Sequence, residues 1–460
     1  MAVVALGDVF RRFVEKSPIS VMAGGVVERL LSPERLNELF GRSAVSQYTR
    51  ELLFSAVFDL MSEVVMGARR SVHAAYQASR EEMSVSITSV YNKLNGIEVE
   101  TSAAMVRETS REATAVIEEM GGQIPTLLPG YRVKLLDGNA IAATEHRLQE
   151  LRSHSAGPLP GKSLVVLDPQ LRAAIDVFPC EDGHAQERSL LGKVLERVEP
   201  RDVWIADRNF CTLSFLFGIV AHGAFFVIRQ HGQMPWESAG PARRVGRIET
   251  GTVYEEKIRL VDEQRNVLIV RGVRLRLKKP TRDGDRELSI LTNLSARGAH
   301  GKQVAELYRN RWTIENVFRE LTQDLSSEIN TLGYPRAALF AFAVALVAYN
   351  VLAVLKAALR TVHGAERIER DVSGYYLADE ISGTYRGMAI AIEPKQWAVF
   401  HGLTVHQLAA LLTHLAAKVR LSAFQKHPRG PKRPLPPRYS DPRTPHVSTA
   451  RLIASRKRHK

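Results

Sequence analysis

Three acids in this chain stand where carboxylates can hold metal ions for phosphodiester chemistry. Asp137 follows the strand-like run Tyr131 to Leu136, and Asp207 follows the short apolar run Asp202 to Ala206. Glu315 lies on a helical stretch among basic and aromatic residues. Cutting and rejoining a phosphodiester requires a nucleophile in line with a 3′ leaving oxygen, and two metal ions about 3.5–4 Å apart can stabilise both oxygens. Mg²⁺ takes hard oxygen ligands and keeps several waters, so two or three carboxylates suffice. The acids alone are a weak signal. The chain has 49 acidic residues, and Asp168, Asp176 and Asp202 also lie near strands. A strand-end aspartate commonly forms a turn or caps a helix.

The neighbours of Glu315 carry more. Tyr308, Arg311 and Glu315 are spaced three and four apart, which puts them on one helical face, and Arg319 continues it. Trp312 and Phe318 lie beside that face. Arg311 and Tyr308 can hold phosphate oxygens near the metal ions, and Trp312 could stack on a base drawn out of a duplex. The plainer alternative is an amphipathic helix with an internal Arg311–Glu315 pair and a core tryptophan.

The elements that must position these residues are legible in outline. Residues 1–128 read as a helical N-terminal domain, with Leu30, Leu31, Leu36, Leu39 and Phe40 at helical spacing and a cap at Ser32-Pro33-Glu34. Pro125, Pro129 and Gly130 mark a boundary. Strand patterns at Ser163 to Leu167 and Leu171 to Phe178 flank Asp168-Pro169-Gln170 as a hairpin. Ala185 to Arg197 reads as helix, followed by the Asp202 strand, a helix to about Ala221 and the strand Phe225 to Ile228. The class is mixed α/β, with a first catalytic part over 129–231, a β-strand insertion over 232–301 and a second catalytic part over 302–365. The pattern from Lys302 to about Gln323 predicts one helix, and 366–425 reads as a helical C-terminal region.

Charge and composition narrow the partner. The formal net charge is +14. From Lys426 to Lys460 there are eleven Lys or Arg and one acid, Asp441, together with seven of the 21 prolines. This stretch, 426–460, reads as a basic disordered tail that follows phosphates. Two cysteines, Cys180 and Cys211, make neither a zinc module nor a disulfide framework. Asp8, Arg11 and Arg12 interrupt any signal-peptide pattern, so a cytoplasmic, nucleoid-associated location is expected. Ala337 to Leu355 is uncharged and long enough to cross a membrane. Its alanine content, with Tyr349 and Asn350, favours a buried core helix and no membrane partner.

The run Tyr308-Arg309-Asn310-Arg311-Trp312-Thr313-Ile314-Glu315 resembles the signature of the DDE transposases of bacterial insertion sequences, in the group with the Tyr-Arg-Glu-Lys motif. Ala206-Asp207-Arg208-Asn209-Phe210 is similar to that family's second-aspartate motif, and Leu136-Asp137-Gly138-Asn139 to its first. The resemblance covers roughly residues 130 to 360. It implies a ribonuclease H-like catalytic domain interrupted by a β-rich insertion. It implies Mg²⁺, or Mn²⁺ in vitro, held by Asp137, Asp207 and Glu315. Tyr308 and Arg311 would contact the DNA backbone, Arg229 matches a basic DNA-contacting position, and the N-terminal helices would bind terminal inverted repeats. A homodimer on DNA would then carry out cut-and-paste transposition into target DNA. The chain departs from the pattern in two places. Thr322 stands where the family has lysine, and the insertion has no late tryptophan, Trp236 being at its start. Arg319, one turn after Glu315, is the candidate to supply the displaced cation. Two further readings stay open: a metal-dependent nuclease without strand transfer, and an inactive DNA-binding relative from a decayed element.

Overall fold

The computed structural model describes residues 6–47, 51–81, 83–141, 158–281, 284–329, 331–427 and 447–458. The N-terminal pattern folds as α1 (Asp8–Lys16), α2 (Pro18–Leu30), α3 (Pro33–Ser43), α4 (Phe54–Val65), α5 (Val72–Ala78), α6 (Ile87–Gly96) and α7 (Val99–Glu119). Ser32 caps α3 by accepting from the Arg35 N–H, and Pro33 fills a first-turn position where its missing N–H is not needed.

Mixed strands and helices follow. The strands are β1 (Arg132–Ile141), β2 (Pro158–Leu159), β3 (Gly161–Asp168), β4 (Ala173–Cys180), β5 (Asp202–Ala206), β6 (Phe225–Arg229), β7 (Glu237–Ser238), β8 (Arg243–Ile248), β9 (Gly251–Val261), β10 (Val267–Leu277), β11 (Glu287–Thr292) and β12 (Val447–Ser448). Between and after them lie α8 (Leu191–Leu195), α9 (Leu213–Ala221), α10 (Gly301–Arg309), α11 (Trp312–Gln323), α12 (Pro335–His363), α13 (Ala365–Asp371), α14 (Gly374–Ala391), α15 (Pro394–Trp397), α16 (Val405–Ala416) and α17 (Thr449–Arg458).

The main sheet runs β4-β3-β1-β5-β6-β11-β10-β9-β7, with β8 also on β9. β3 runs antiparallel to both β1 and β4, whereas β5 and β6 run parallel to β1. The β3–β4 turn is set by Asp168, whose Oδ1 accepts from the N–H groups of Gln170 and Leu171. One face of the sheet packs on α8 and α9 through Trp204, Phe215 and Phe226. The other packs on the remaining helices through Val203, Val227, Leu307 and Ile314.

The uncharged segment is the hub of that second layer. α12 is apolar all round, so it must be covered from every side. It packs against α2, α4, α6, α7, α16 and β4, and its most apolar window is 94% buried. The N-terminal helices are therefore part of the same core as the sheet. Asn350, buried within α12, donates to the Ala174 carbonyl and accepts from the Ala174 N–H, both at 2.8 Å. It does so beside the irregularity where the β3–β4 register shifts.

Several expectations are corrected. β1 does not stop before Asp137 but runs on to Ile141, its far half held by β3. Ala185 to Arg197 is only partly helical, being a 3-10 turn over Glu187–Leu190 and then α8. The single helix from Lys302 is two, α10 and α11, joined by a tight turn in which the Arg311 N–H bonds the Tyr308 carbonyl. Most of the basic tail lies outside the described residues. Its end is ordered, since β12 pairs in parallel with β2 and Arg451 bonds Asp182 at 2.8 Å.

Candidate active site

The site is built from the register of two parallel strands. β1 and β5 pair from Arg132↔Asp202 to Leu136↔Ala206 and then separate. Asp137 is the next residue along β1 and Asp207 the first residue after β5, so the two lie beside each other just past the last paired rung. Strand alternation fixes their direction. Leu136 and Ala206 point to the α8–α9 layer, whereas Leu135 and Ile205 point to the opposite one. Both aspartates therefore face α10 and α11.

The helices meet them there. The Tyr308 hydroxyl lies 3.3 Å from Asp207 Oδ1 and donates to it. Arg311 donates through Nη1 to Asp137 Oδ2 at 3.0 Å and through Nη2 to Glu315 Oε1 at 2.7 Å. One guanidinium thus joins the first aspartate to the glutamate, and the internal Arg311–Glu315 pair of the plainer reading is present as well. Burial pushes the Asp137 carboxyl up to about 6, against the pull of Arg311 and of the Gly138 N–H, with Asp207 and Glu315 adding to the rise. Burial and the charge of Asp207 also push the Tyr308 phenol up.

Hard carboxylate oxygens suit a divalent cation such as Mg²⁺, and the donor set here fits that chemistry. The arrangement is that of a site carrying its own counter-ion. Among the described residues no group of three or more His, Cys, Asp or Glu side chains stands ready to enclose a metal ion, and Arg311 lies between two of the acids.

The remaining candidates are placed as follows. Trp312 is 60% exposed at the start of α11, so it is not a core residue. Arg319 bonds Asn316 Oδ1 at 2.7 Å rather than Glu315. The Thr322 hydroxyl turns back to the Phe318 carbonyl. Arg229 is tied to Asp285 at 2.7 Å, with only 16% of its side chain exposed. Further residues that the sequence did not single out for a role close the site from the α8–α9 side. Asn209 Nδ2 donates to Glu187 Oε2 at 2.5 Å, and Arg188 donates to the Asn209 carbonyl at 2.7 Å. Asn209 lies inside the second-aspartate motif, but Glu187 and Arg188, in a surface turn, give no signal in the sequence.

The sheet, its neighbouring aspartates and the facing glutamate helix define a mixed α/β protein with an acidic site on one face of the sheet. Residues 129–351 match the family described as the transposase DDE domain. That match agrees with the resemblance to the DDE transposases read from the motifs around Asp137, Asp207 and Glu315. A relative is y4zB of Sinorhizobium fredii (strain NBRC 101917 / NGR234), a protein whose name assigns it to the transposases. It is 30% identical over 162 residues, covering 34% of this chain and 43% of the relative. Among solved structures, the piggyBac transposase synaptic complex with hairpin DNA aligns over 81% of this chain and 86% of that chain. The likeness is distant, at 10% identity and a TM-score of 0.36.

Proposed function

We propose that the protein is a cut-and-paste DNA transposase of the insertion-sequence type, working as a homodimer on terminal inverted repeats and target DNA in the bacterial cytoplasm. One observation carries the reading: Asp137 and Asp207 emerge together from the last paired rung of β1 and β5, with Glu315 tied to Asp137 through Arg311. Three antiparallel strands followed by two parallel ones, in the order β4-β3-β1-β5-β6, support a ribonuclease H-like core. Asp137, Asp207 and Glu315 would hold Mg²⁺ or Mn²⁺. Bound there, such ions activate the attacking oxygen and stabilise the leaving one.

The chain's own residues have separate tasks. Arg311 neutralises the acids in the free protein and, once drawn to phosphate, positions the scissile strand. Tyr308 holds the orientation of Asp207 through its hydroxyl. Trp312, exposed at the head of α11, offers a stacking surface for a displaced base. Arg319 and Arg229 add positive charge on either side. Asn293 fixes β6 beneath the site by accepting from the Phe226 N–H at 2.9 Å.

The test is Glu315→Ala assayed on DNA carrying the inverted repeats. Loss of a metal ligand should abolish cleavage and strand transfer while end binding stays within about twofold, because the groups that hold phosphate remain. Normal cleavage by that variant would sink the assignment. Cleavage without joining by the unaltered protein would instead make it a nuclease.

A further inference from the structure

We propose that Glu187 is the positioning residue that sets the spacing of the two catalytic aspartates, an inference that rests on the metal-binding reading above. The need for such a residue follows from the register. Backbone pairing between β1 and β5 ends at Leu136↔Ala206, one residue short of the acids. Beyond that rung β1 follows β3, while the chain after Asp207 turns into the 3-10 segment Arg208–Phe210. The paired register of the two strands thus stops below the level of the acids.

Glu187 spans that gap from the opposite side of the sheet. Its carboxylate lies directly against Gly138, the residue after Asp137, so closely that a methyl group on residue 138 would overlap it. The same carboxylate accepts the Asn209 side-chain amide at 2.5 Å, two residues after Asp207. Arg188 adds a second tie by donating Nε to the Asn209 carbonyl at 2.7 Å. One short 3-10 turn, Glu187–Leu190, thus touches the backbone beyond the first aspartate and grips the turn beyond the second. The turn is itself anchored, since Leu190 and the following Leu191 and Val194 are buried under the sheet with Trp204 and Phe210.

This accounts for two residue choices. Glycine at position 138 leaves room for the Glu187 carboxylate against the strand, and a Cβ there would push that carboxylate aside. Position 209 is asparagine because its amide donates to Glu187 where an aspartate would repel it. Partners behind metal ligands typically govern affinity by about 10–100-fold. Glu187 differs from a ligand in acting through shape and one accepted hydrogen bond. A neutral glutamine of the same size should therefore replace it.

The experiment is Mn²⁺ binding to the full chain without DNA, by titration calorimetry, with thermal melts by circular dichroism to verify folding. Glu187→Ala and Gly138→Ala should each weaken Mn²⁺ binding by about tenfold or more, and Glu187→Gln should stay within about threefold of the unaltered protein. Asp207→Ala serves as the reference for loss of a ligand. If Glu187→Ala and Gly138→Ala bind Mn²⁺ normally while Asp207→Ala does not, the positioning role is overturned and the metal site stands. If Asp207→Ala also binds normally, the metal reading fails and the proposal falls with it. If Glu187→Gln is as impaired as Glu187→Ala, Glu187 acts by charge and the brace is wrong.

Discussion

Arg311 feels the charge of Asp137, Asp207 and Glu315 and donates to two of them, yet its Nε is buried without a hydrogen-bond partner. An orphaned buried donor costs about 1–3 kcal/mol, which fits a side chain whose full set of acceptors includes a ligand. Arg319 has a looser hold, since its partner Asn316 is one turn away on the same exposed helix face. We expect Arg319→Ala to slow processing of uncut element ends more than joining of pre-cut ends, and Thr322→Lys to restore part of the activity. A gel assay of both substrates decides it: a silent Arg319→Ala, or a Thr322→Lys that rescues nothing, rejects Arg319 as the displaced cation. At this scale the sequence is legible wherever chemistry and spacing coincide. Tyr308 at the end of α10, Arg311 in the turn and Glu315 on α11 come together although the one helix expected for them is broken, Tyr308 bonding Asp207 and Arg311 bonding Asp137 and Glu315. Glu187 is illegible because its role comes from its place across the sheet, with no local pattern to mark it.

At the scale of elements, the hairpin, the Asp202 strand and the strands of the insertion can be read because each is bounded by its own turn signals. The extension of β1 past Asp137 cannot, because it depends on β3, a partner distant in the chain. The break between α10 and α11 is also hidden, since no glycine or proline marks it. It coincides with Arg311, which is drawn to Asp137 across the sheet edge. Asn350 shows how one polar residue can fix an otherwise oily helix in place. Replacing it by leucine would leave the Ala174 N–H and carbonyl without their side-chain partner beside a bulge. We expect Asn350→Leu to cost about 2 kcal/mol or more, read as a lower urea midpoint at unchanged slope. An unshifted midpoint would mean the bulge finds other partners.

For the whole molecule, the extension of the core sheet by β11, β10 and β9 means that the glutamate helix rides on the same sheet as the aspartates. The positive charge is distributed differently, concentrated after Lys426. Ending the chain at His427 should weaken DNA binding with little regard to sequence. It should also flatten the log–log salt dependence by about 0.9 for each phosphate that the shortened chain no longer neutralises. A slope unchanged between about 50 and 200 mM salt would show that these residues do not meet DNA. The same truncation removes β12 and the Arg451–Asp182 pair, so a small drop in thermal stability should accompany it.

The guanidinium between Asp137 and Glu315 has a thermodynamic consequence. In the free protein it satisfies acids that a divalent ion would claim, so ion binding must first overcome its displacement. A DNA phosphate that attracts Arg311 away removes that cost. On the proposed function the two ligands would share one obstacle, and coupling of this kind is reciprocal: DNA would tighten ion binding by the same factor by which ions would tighten DNA binding. On the proposed function, Arg311 keeps Asp137 and Glu315 neutralised in the absence of DNA, and a site able to cut would assemble only once there is something to cut.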